Sequence, residues 1–313
     1  MNLFEQKLLK PMLIGAEGEP FDNPDYIYEL KLDGIRCIAY LDQTGTELRN
    51  KRNLNVTSIY PELKEIHKQV SNRCILDGEI IVMCNGKPDF SEVKRRALMS
   101  NRLKIDLAAS KLPVSFIAFD ILYLKDEQVT DLPLINRKAI LQETVIEEND
   151  KLAISRFIEE KGEELYHLAE QKDLEGIVAK LKESRYILDK RTKDWIKIKN
   201  LLDDDFVVCG YIKKEKGITS IILGQYRDDV LIYKGHVTLG VSGEDFRTIS
   251  GYEKIMNSPF STLPAGSGHE QAVWIRPDLV CTVKFMQRTE SGGMRQPVFK
   301  GLRYDKLPQE CVE

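Results

Sequence analysis

Residues 28–36 read Tyr-Glu-Leu-Lys-Leu-Asp-Gly-Ile-Arg, a lysine set between alternating apolar residues and followed at once by Asp33-Gly34. Alternation of this kind specifies a half-buried strand, and Asp-Gly is a strong turn signal. The plain reading is a β-hairpin with Glu29, Lys31 and Asp33 on its solvated face, a turn at Asp33-Gly34, and a return through Arg36 to Tyr40. In that reading Lys31 is a surface charge. A second reading makes Lys31 a nucleophile. An amine attacks only in its neutral form, which a free lysine reaches near pH 10.4. Arg36, a fixed cation close in sequence, is read as helping to disfavour the protonated form.

The chain has 313 residues, a length suited to two domains, and its 42% hydrophobic and 30% charged residues fit a soluble globular protein. The formal net charge is −3, so a nucleic-acid contact must come from a local basic face. Cys37, Cys74, Cys84, Cys209, Cys281 and Cys311 form no C-x-x-C pair, and His67, His167, His236 and His269 lack metal-ligand spacing. Zinc and a disulfide framework are therefore not expected, and the cysteines read as reduced and mostly buried. No apolar run is long enough to span a membrane, and the first residues lack a signal-peptide core, so a cytoplasmic protein is expected.

Residues 26–49 read as two or three strands around Asp33-Gly34, and 61–70 as a helix with Leu63, Ile66 and Val70 on one face. Segments 74–76 and 79–82 read as a buried strand broken at Asp77-Gly78. Residues 89–99, 136–141 and 160–171 read as helices, and 114–124, 176–179 and 195–199 as strands. Past Asn200 the texture changes. Residues 202–205, Leu-Asp-Asp-Asp, read as an acidic hinge. Short strands at 206–211, 220–226 and 230–236 then follow at the spacing of a small β-barrel. A helix over about 244–256, a Gly-, Ser- and Pro-rich loop over about 258–268 and two more strands complete the chain. The domain boundary falls near residue 202, giving domains 1–202 and 203–313.

Four further segments carry chemistry. Asp77-Gly78-Glu79 puts a carboxylate inside a very apolar strand, and its plain reading is a hairpin turn. Phe119-Asp120 ends a strand with an aromatic beside a carboxylate, where core packing is the default for phenylalanine. Glu175 opens the β run 176–179 and Lys180 closes it; a carboxylate there could hold a divalent metal near phosphate oxygens, or be a solvated loop residue. Trp195-Ile196-Lys197-Ile198-Lys199 places two lysines on one strand face, an arrangement suited to an anionic ligand or to an exposed sheet face.

Taken in order, K-x-D-G-x-R, D-G-E, an aromatic-Asp strand end, D-x-E-G and W-x-K-x-K resemble the covalent nucleotidyltransferases: ATP-dependent DNA ligases, RNA ligases and mRNA capping enzymes. The ending, Arg295 through Arg303-Tyr304-Asp305-Lys306, resembles the closing R-x-D-K segment of ATP-dependent DNA ligases, and the run from Trp274 to Lys306 is most like the ligase module of bacterial end-joining ligase D. The resemblance implies an α+β two-domain fold. A nucleotidyltransferase (adenylation) domain of mainly antiparallel sheets with helices would be followed by an OB-fold β-barrel. It implies that Lys31 forms a phosphoramidate with AMP, that Glu29 lies beside adenine, and that Arg36 and Arg52 contact the sugar and later the nick phosphate. Lys51-Arg52-Asn53 departs from the common Ser-Arg-x-Gly form. Glu79 would reach the ribose or a metal shell, Phe119 would stack on the base, Glu175 would support Mg²⁺ or Mn²⁺, and Arg191 would shape the nucleotide site. Lys197 and Lys199 would hold the α-phosphate, and Arg303 and Lys306 would orient pyrophosphate.

The expected activity is that of an ATP-dependent DNA ligase, a monomer acting on nicked or broken double-stranded DNA in the cytoplasm or nucleoid. ATP is its substrate. A Ku-type end-binding protein and a separate repair polymerase are partners by family inference. An RNA ligase or capping-type enzyme is the first alternative, and the Arg303–Lys306 ending counts against it. A catalytically silent nucleic-acid-binding module is the second. It is disfavoured because Lys31, Glu175, Lys197 and Lys199 are intact. NAD-dependent ligation is disfavoured because the zinc-binding cysteine set of that family is missing.

Overall fold

The structure is a computed structural model describing residues 2–213, 219–264, 268–286, 288–289, 292–304 and 306–313. Asp305 and part of the 258–268 loop therefore lie outside the described residues. Two compact units divide the chain, Met1–Asn200 and Leu201–Glu313. The first contains α1 (Leu3–Gln6), β1 (Leu13–Glu17), β2 (Tyr26–Leu30), β3 (Ile35–Asp42), β4 (Gly45–Asn50), β5 (Cys74–Cys84), β6 (Lys87–Pro88), α2 (Phe90–Ala97), α3 (Arg102–Lys111), β7 (Val114–Leu124), β8 (Glu127–Gln128), α4 (Leu134–Thr144), β9 (Leu152–Ile154), β10 (Phe157–Glu159), α5 (Gly162–Gln171), β11 (Gly176–Leu181) and β12 (Arg191–Lys199).

These strands form two mainly antiparallel sheets. One runs β1-β12-β11-β2-β10; the other runs β4-β3-β5-β7-β8, with β6 on β5 and β9 on β7. The sheets share a buried core of Ile27, Val178 and Trp195 from the first and Ile38, Tyr40, Ile75, Phe119 and Leu122 from the second. The second sheet's other face packs Ala39, Leu76 and Phe116 against Val93 of α2 and Leu141 of α4. The first sheet's other face packs Tyr28, Ile177 and Ile198 against Ala169 of α5.

The expected hairpin is not formed. β2 pairs with β10 and β11, whereas β3 pairs with β4 and β5. Residues 31–34 therefore cross from one sheet to the other. Neither Gly34 nor Gly78 has a positive φ. Each is required by close strand approach: a Cβ at Gly34 would lie 2.4 Å from the Ile80 carbonyl oxygen, and one at Gly78 would lie 2.5 Å from that of Ile117. β5 accordingly runs unbroken through Asp77-Gly78, and its register against β7 shifts there as a bulge. Both Asp-Gly pairs look like turns in sequence and act as packing sites in the fold.

Other expectations change in detail. The helix expected over 61–70 is two short 3₁₀ segments, Pro61–Leu63 and Ile66–Gln69. An i, i+3 spacing serves 3₁₀ turns as well as an α-helix, and Leu63 and Ile66 are still fully buried. Helix α3 carries weak periodicity because Leu103 and Leu107 are exposed while Ile105 and Ala108 are buried. Strand β1 is short and contains Gly15, which hid it.

The second unit holds β13 (Leu202–Lys213), β14 (Thr219–Arg227), β15 (Val230–Val237), α6 (Gly243–Gly251), β16 (Ala272–Phe285) and β17 (Val298–Arg303), in the sheet order β15-β14-β13-β16-β17. A parallel bridge between Leu239 and Val298 joins the two ends of that sheet and closes a barrel. Phe206, Val208, Leu223, Val283 and Phe285 fill it, with Ile249 of α6 against them. This is the OB-fold arrangement. Helix α6 stops at Gly251, short of the expected 256. The expected acidic hinge is strand: Asp203, Asp204 and Asp205 pair with Lys284, Val283 and Thr282 of β16. The strand tolerates these acids because Asp203 is exposed and the other two carboxylates are matched; Asp204 accepts from Gln225 and Arg288, and Asp205 from Thr282, Arg303 and Lys306. Among the described residues no helix is long and apolar enough to cross a membrane.

Candidate active site

Strand alternation decides which charges meet. In β2 and just beyond it, Ile27, Glu29 and Lys31 alternate with residues that pack on α5; in β12, Trp195, Lys197 and Lys199 do the same. The register aligns Glu17, Lys197, Val178 and Glu29 in one row across four strands. One step further, Lys199 faces Gly176, whose carbonyl accepts the Lys31 N–H at 2.9 Å. Lys31, Lys197 and Lys199 thus project from one end of one sheet face.

Lys31 Nζ lies 2.5 Å from Glu175 Oε1. Its counter-ion sits at the start of β11, so the sequence pairing of Lys31 with Arg36 needs correcting. Arg36 has its own partner, Asp77, bound through two hydrogen bonds of 2.5 Å, and Tyr186 donates to the same carboxylate. Arg36 is therefore a neutralised cation at the inner wall. Glu79 faces Arg36 across β3 and β5 and feels Lys31, Asp77 and Glu175. Burial raises its carboxyl to about 8, outweighing Arg36 and Lys31. Glu175, and Glu79 once a bound cation displaces its proton, could hold a hard divalent cation beside Lys31. Among the described residues no group of three or more His, Cys, Asp or Glu could hold a metal ion; an ion on these two carboxylates would complete its shell with water and substrate phosphates.

Glu29 and Phe119 are both buried. Glu29 is 2% exposed; it accepts from Ser155 at 2.7 Å and from Lys180 at 3.0 Å, and Lys138 Nζ lies 2.5 Å away. Burial alone would raise its carboxyl, but Lys138 and Lys180 hold it below the usual range. With both oxygens engaged, its side chain anchors two buried lysines. Phe119 is core, 8% exposed and edge-on to Trp195, with the Arg36 guanidinium 4.4 Å and Lys180 Nζ 4.5 Å from its ring centre. Cations stand over the ring where base stacking was expected. Burial lowers Lys180 to about 8 despite Glu29.

Lys197 and Lys199 do share a face, and both reach Glu17, at 2.9 and 3.5 Å. Glu17 escaped the sequence reading. The available signal was that two adjacent lysines need a shared acid. Arg191 belongs at the opposite end of β12 from Lys199, where it is exposed and donates to the Ile14 carbonyl at 2.6 Å; it is not brought to the site. Arg52 follows β4 at the end where Asn50 pairs with Cys37, so it lies at the Arg36 end of its sheet but exposed. A cavity of ≈ 640 Å³ lined by Thr44, Thr57, Lys64, His67 and Arg102 contains none of the site residues.

In the second unit, Asp205 Oδ2 accepts from Arg303 at 3.0 Å and from Lys306 at 2.9 Å. The sequence treated Asp205 as linker, yet it holds both cations. Burial would raise its carboxyl, but Thr282, Lys306 and Arg303 keep it low.

A half-buried lysine at a sheet junction, two carboxylates beside it, a lysine pair on the next strand but one, and a separate OB barrel define a covalent nucleotidyltransferase. Comparison with known proteins narrows the class. Residues 13–199 match the ATP dependent DNA ligase domain and residues 214–306 the ATP dependent DNA ligase C terminal region. The chain belongs to the ATP-dependent DNA ligase family. It is 30% identical to the SPbeta prophage-derived DNA ligase-like protein LigB of Bacillus subtilis (strain 168), over 94% of this chain and 99% of that protein. It is also 30% identical to the multifunctional non-homologous end joining protein LigD of Pseudomonas aeruginosa, over 92% of this chain but 34% of that protein, so it spans about a third of that relative's length. Among solved structures, mycobacterial DNA ligase D complexed with ATP and MES matches with a TM-score of 0.56 and 26% identity, covering 98% of this chain and 99% of that one.

Proposed function

We propose that this protein seals breaks in double-stranded DNA through a lysyl-AMP intermediate on Lys31, the reaction of DNA ligase (ATP), EC 6.5.1.1. The observation that carries the reading is the Lys31–Glu175 contact of 2.5 Å at a junction between two sheets, one strand from Lys199. In the first step Lys31 loses a proton to solvent while its contact with Glu175 holds the amine in place, and the freed lone pair attacks the α-phosphorus of ATP. A P–N bond forms, the bond to the bridging oxygen breaks, and pyrophosphate departs. Lys197 and Lys199 neutralise the α-phosphate as negative charge shifts during attack. Mg²⁺ or Mn²⁺ held by Glu79 and Glu175 would supply further charge neutralisation at the polyphosphate. Arg303 and Lys306 act on the leaving pyrophosphate. A DNA 5′-phosphate oxygen then takes the AMP, breaking the P–N bond and returning Lys31. Last, a 3′-hydroxyl loses its proton to solvent and attacks the 5′-phosphorus; the phosphodiester P–O bond forms as the anhydride bond to AMP breaks and AMP leaves.

The LigD likeness supports a role in DNA repair by end joining, with a Ku-type protein and a polymerase as separate partners at the nucleoid. The adenylation domain is taken as 1–202 and the OB domain as 203–313. The test is sealing of matched nicked DNA and nicked RNA with ATP and Mg²⁺. DNA should be sealed much faster, and excess chelator should stop the reaction until Mg²⁺ is restored. Preferential sealing of RNA would favour the RNA-ligase reading. Absence of any AMP adduct would favour a silent binding module.

A further inference from the structure

We propose that Glu17 occupies, in the nucleotide-free protein, the anion position of the Lys197–Lys199 pair, so that ATP must displace it and its carboxylate sets how tightly nucleotide binds. The inference rests on the reading that these lysines take the α-phosphate.

Glu17 ends β1 and lies in register with Lys197 on the parallel strand β12. The Gly18 N–H donates to the Lys197 carbonyl at 3.2 Å, which fixes the backbone beside the pair. The carboxylate then spans both ammonium groups, Oε2 to Lys197 at 2.9 Å and Oε1 to Lys199 at 3.5 Å. Burial would raise its carboxyl, but the two lysines lower it, so the group is an anion at neutral pH. Two cations two residues apart on one strand face repel, and a two-oxygen anion between them relieves that repulsion. A phosphate presents the same pair of oxygens to the same donors.

The contact is built to open. The Glu17 side chain is 48% exposed, against 17% for Lys199, so rotation of one side chain moves its charge into water while the lysines stay in place. Exposed pairs of this kind contribute little, so the competition should alter affinity by about three- to fivefold rather than by orders of magnitude. Glu17 is thus a positioning residue. It keeps two like charges together until nucleotide arrives, and it competes with every anion that approaches them.

The experiment measures binding of α,β-methylene-ATP, which cannot release pyrophosphate, to the full chain by titration calorimetry, alongside the KM for ATP in self-adenylation. Glu17→Gln should bind the analogue about three- to fivefold more tightly and lower KM to match, and Glu17→Asp, reaching one lysine only, should fall between. Unchanged or weaker binding by Glu17→Gln would overturn the proposal. A merely structural contact would lower the melting temperature and the adenylation rate without tightening binding. Lys197→Ala separates the two levels. If it binds the analogue as the parent does, the assignment of the lysines fails. If it weakens binding while Glu17→Gln changes nothing, the role of Glu17 alone fails.

Discussion

Two sets of charges lie within the first unit, and they differ in access to water. Deep between the strands, Arg137 and Asp120 are both fully buried and joined by two hydrogen bonds of 2.8 Å, and Glu29 is sealed against Lys138 and Lys180. At the ends of the strands, Lys31 is 21% exposed beside a Glu175 that is 6% exposed, and Lys197 is 31% exposed beside a Glu17 that is 48% exposed, so in each pair at least one partner meets water. The chemistry of the pairs is the same. Where water is excluded, neither partner can leave without stranding a charge, so the pair acts as scaffold. Where water and ligand reach, partners can be exchanged, and the same lysine–carboxylate contact becomes a poised site.

The sharpest way to break this comparison is to remove one acid from each set. Asp120→Asn leaves the buried Arg137 guanidinium unmatched and should cost about 3–5 kcal/mol of unfolding free energy. Glu175→Gln, which leaves the partly exposed Lys31 beside an amide, should cost less than Asp120→Asn yet slow self-adenylation about 100-fold. Urea unfolding and transfer of label from α-labelled ATP measure the two. Equal destabilisation, or a fast Glu175→Gln enzyme, would erase the distinction.

The second unit sharpens the comparison, because there one carboxylate, Asp205, holds two cations. If Arg303 acts only on pyrophosphate, Arg303→Ala should slow self-adenylation by about 100-fold while still sealing a nick that already carries a 5′-adenylate. Equal loss on ATP-dependent sealing and on the pre-adenylated nick would place Arg303 in DNA binding or in the fold.

The smallest effect is a pH slope from the sealed set. Lys180 is lowered to about 8 by burial. Between pH 8 and its ordinary value near 10.4, the unfolded chain holds a proton that the folded chain has released, so raising pH favours the folded state. The stability of the parent relative to Lys180→Gln should therefore rise by about 2 kcal/mol from pH 8 to pH 10. A flat difference would show that Lys180 keeps its charge in the core.

Part of the candidate site was legible because strand alternation is local. Lys197 and Lys199 share a face by spacing alone, and K-x-D-G-x-R marked Lys31. What escaped the sequence was partnership across strands far apart in the chain. Glu17 meets Lys197 from 180 positions away, and Asp77 claims Arg36 through a neighbouring strand. Glycine misled in the same way: Gly34 and Gly78 answer to carbonyls on adjacent strands, which no local turn signal encodes. Residues 202–205 read as hinge because three acids rarely sit in a strand; Gln225 and Arg288 match Asp204, Thr282, Arg303 and Lys306 match Asp205, and Asp203 is exposed.

The central claim is that the exposed end of the sheet carries the nucleophile. The direct measurement is incubation with α-labelled ATP and Mg²⁺, denaturation, and mapping of the labelled peptide. The label should lie on the peptide containing Lys31, survive denaturation, and vanish in Lys31→Ala and Lys31→Arg while both variants keep the parent's fold by circular dichroism. Arginine cannot substitute because its guanidinium stays protonated. A labelled Lys31→Ala protein, or label on Lys197, Lys199 or any other residue, would contradict the account.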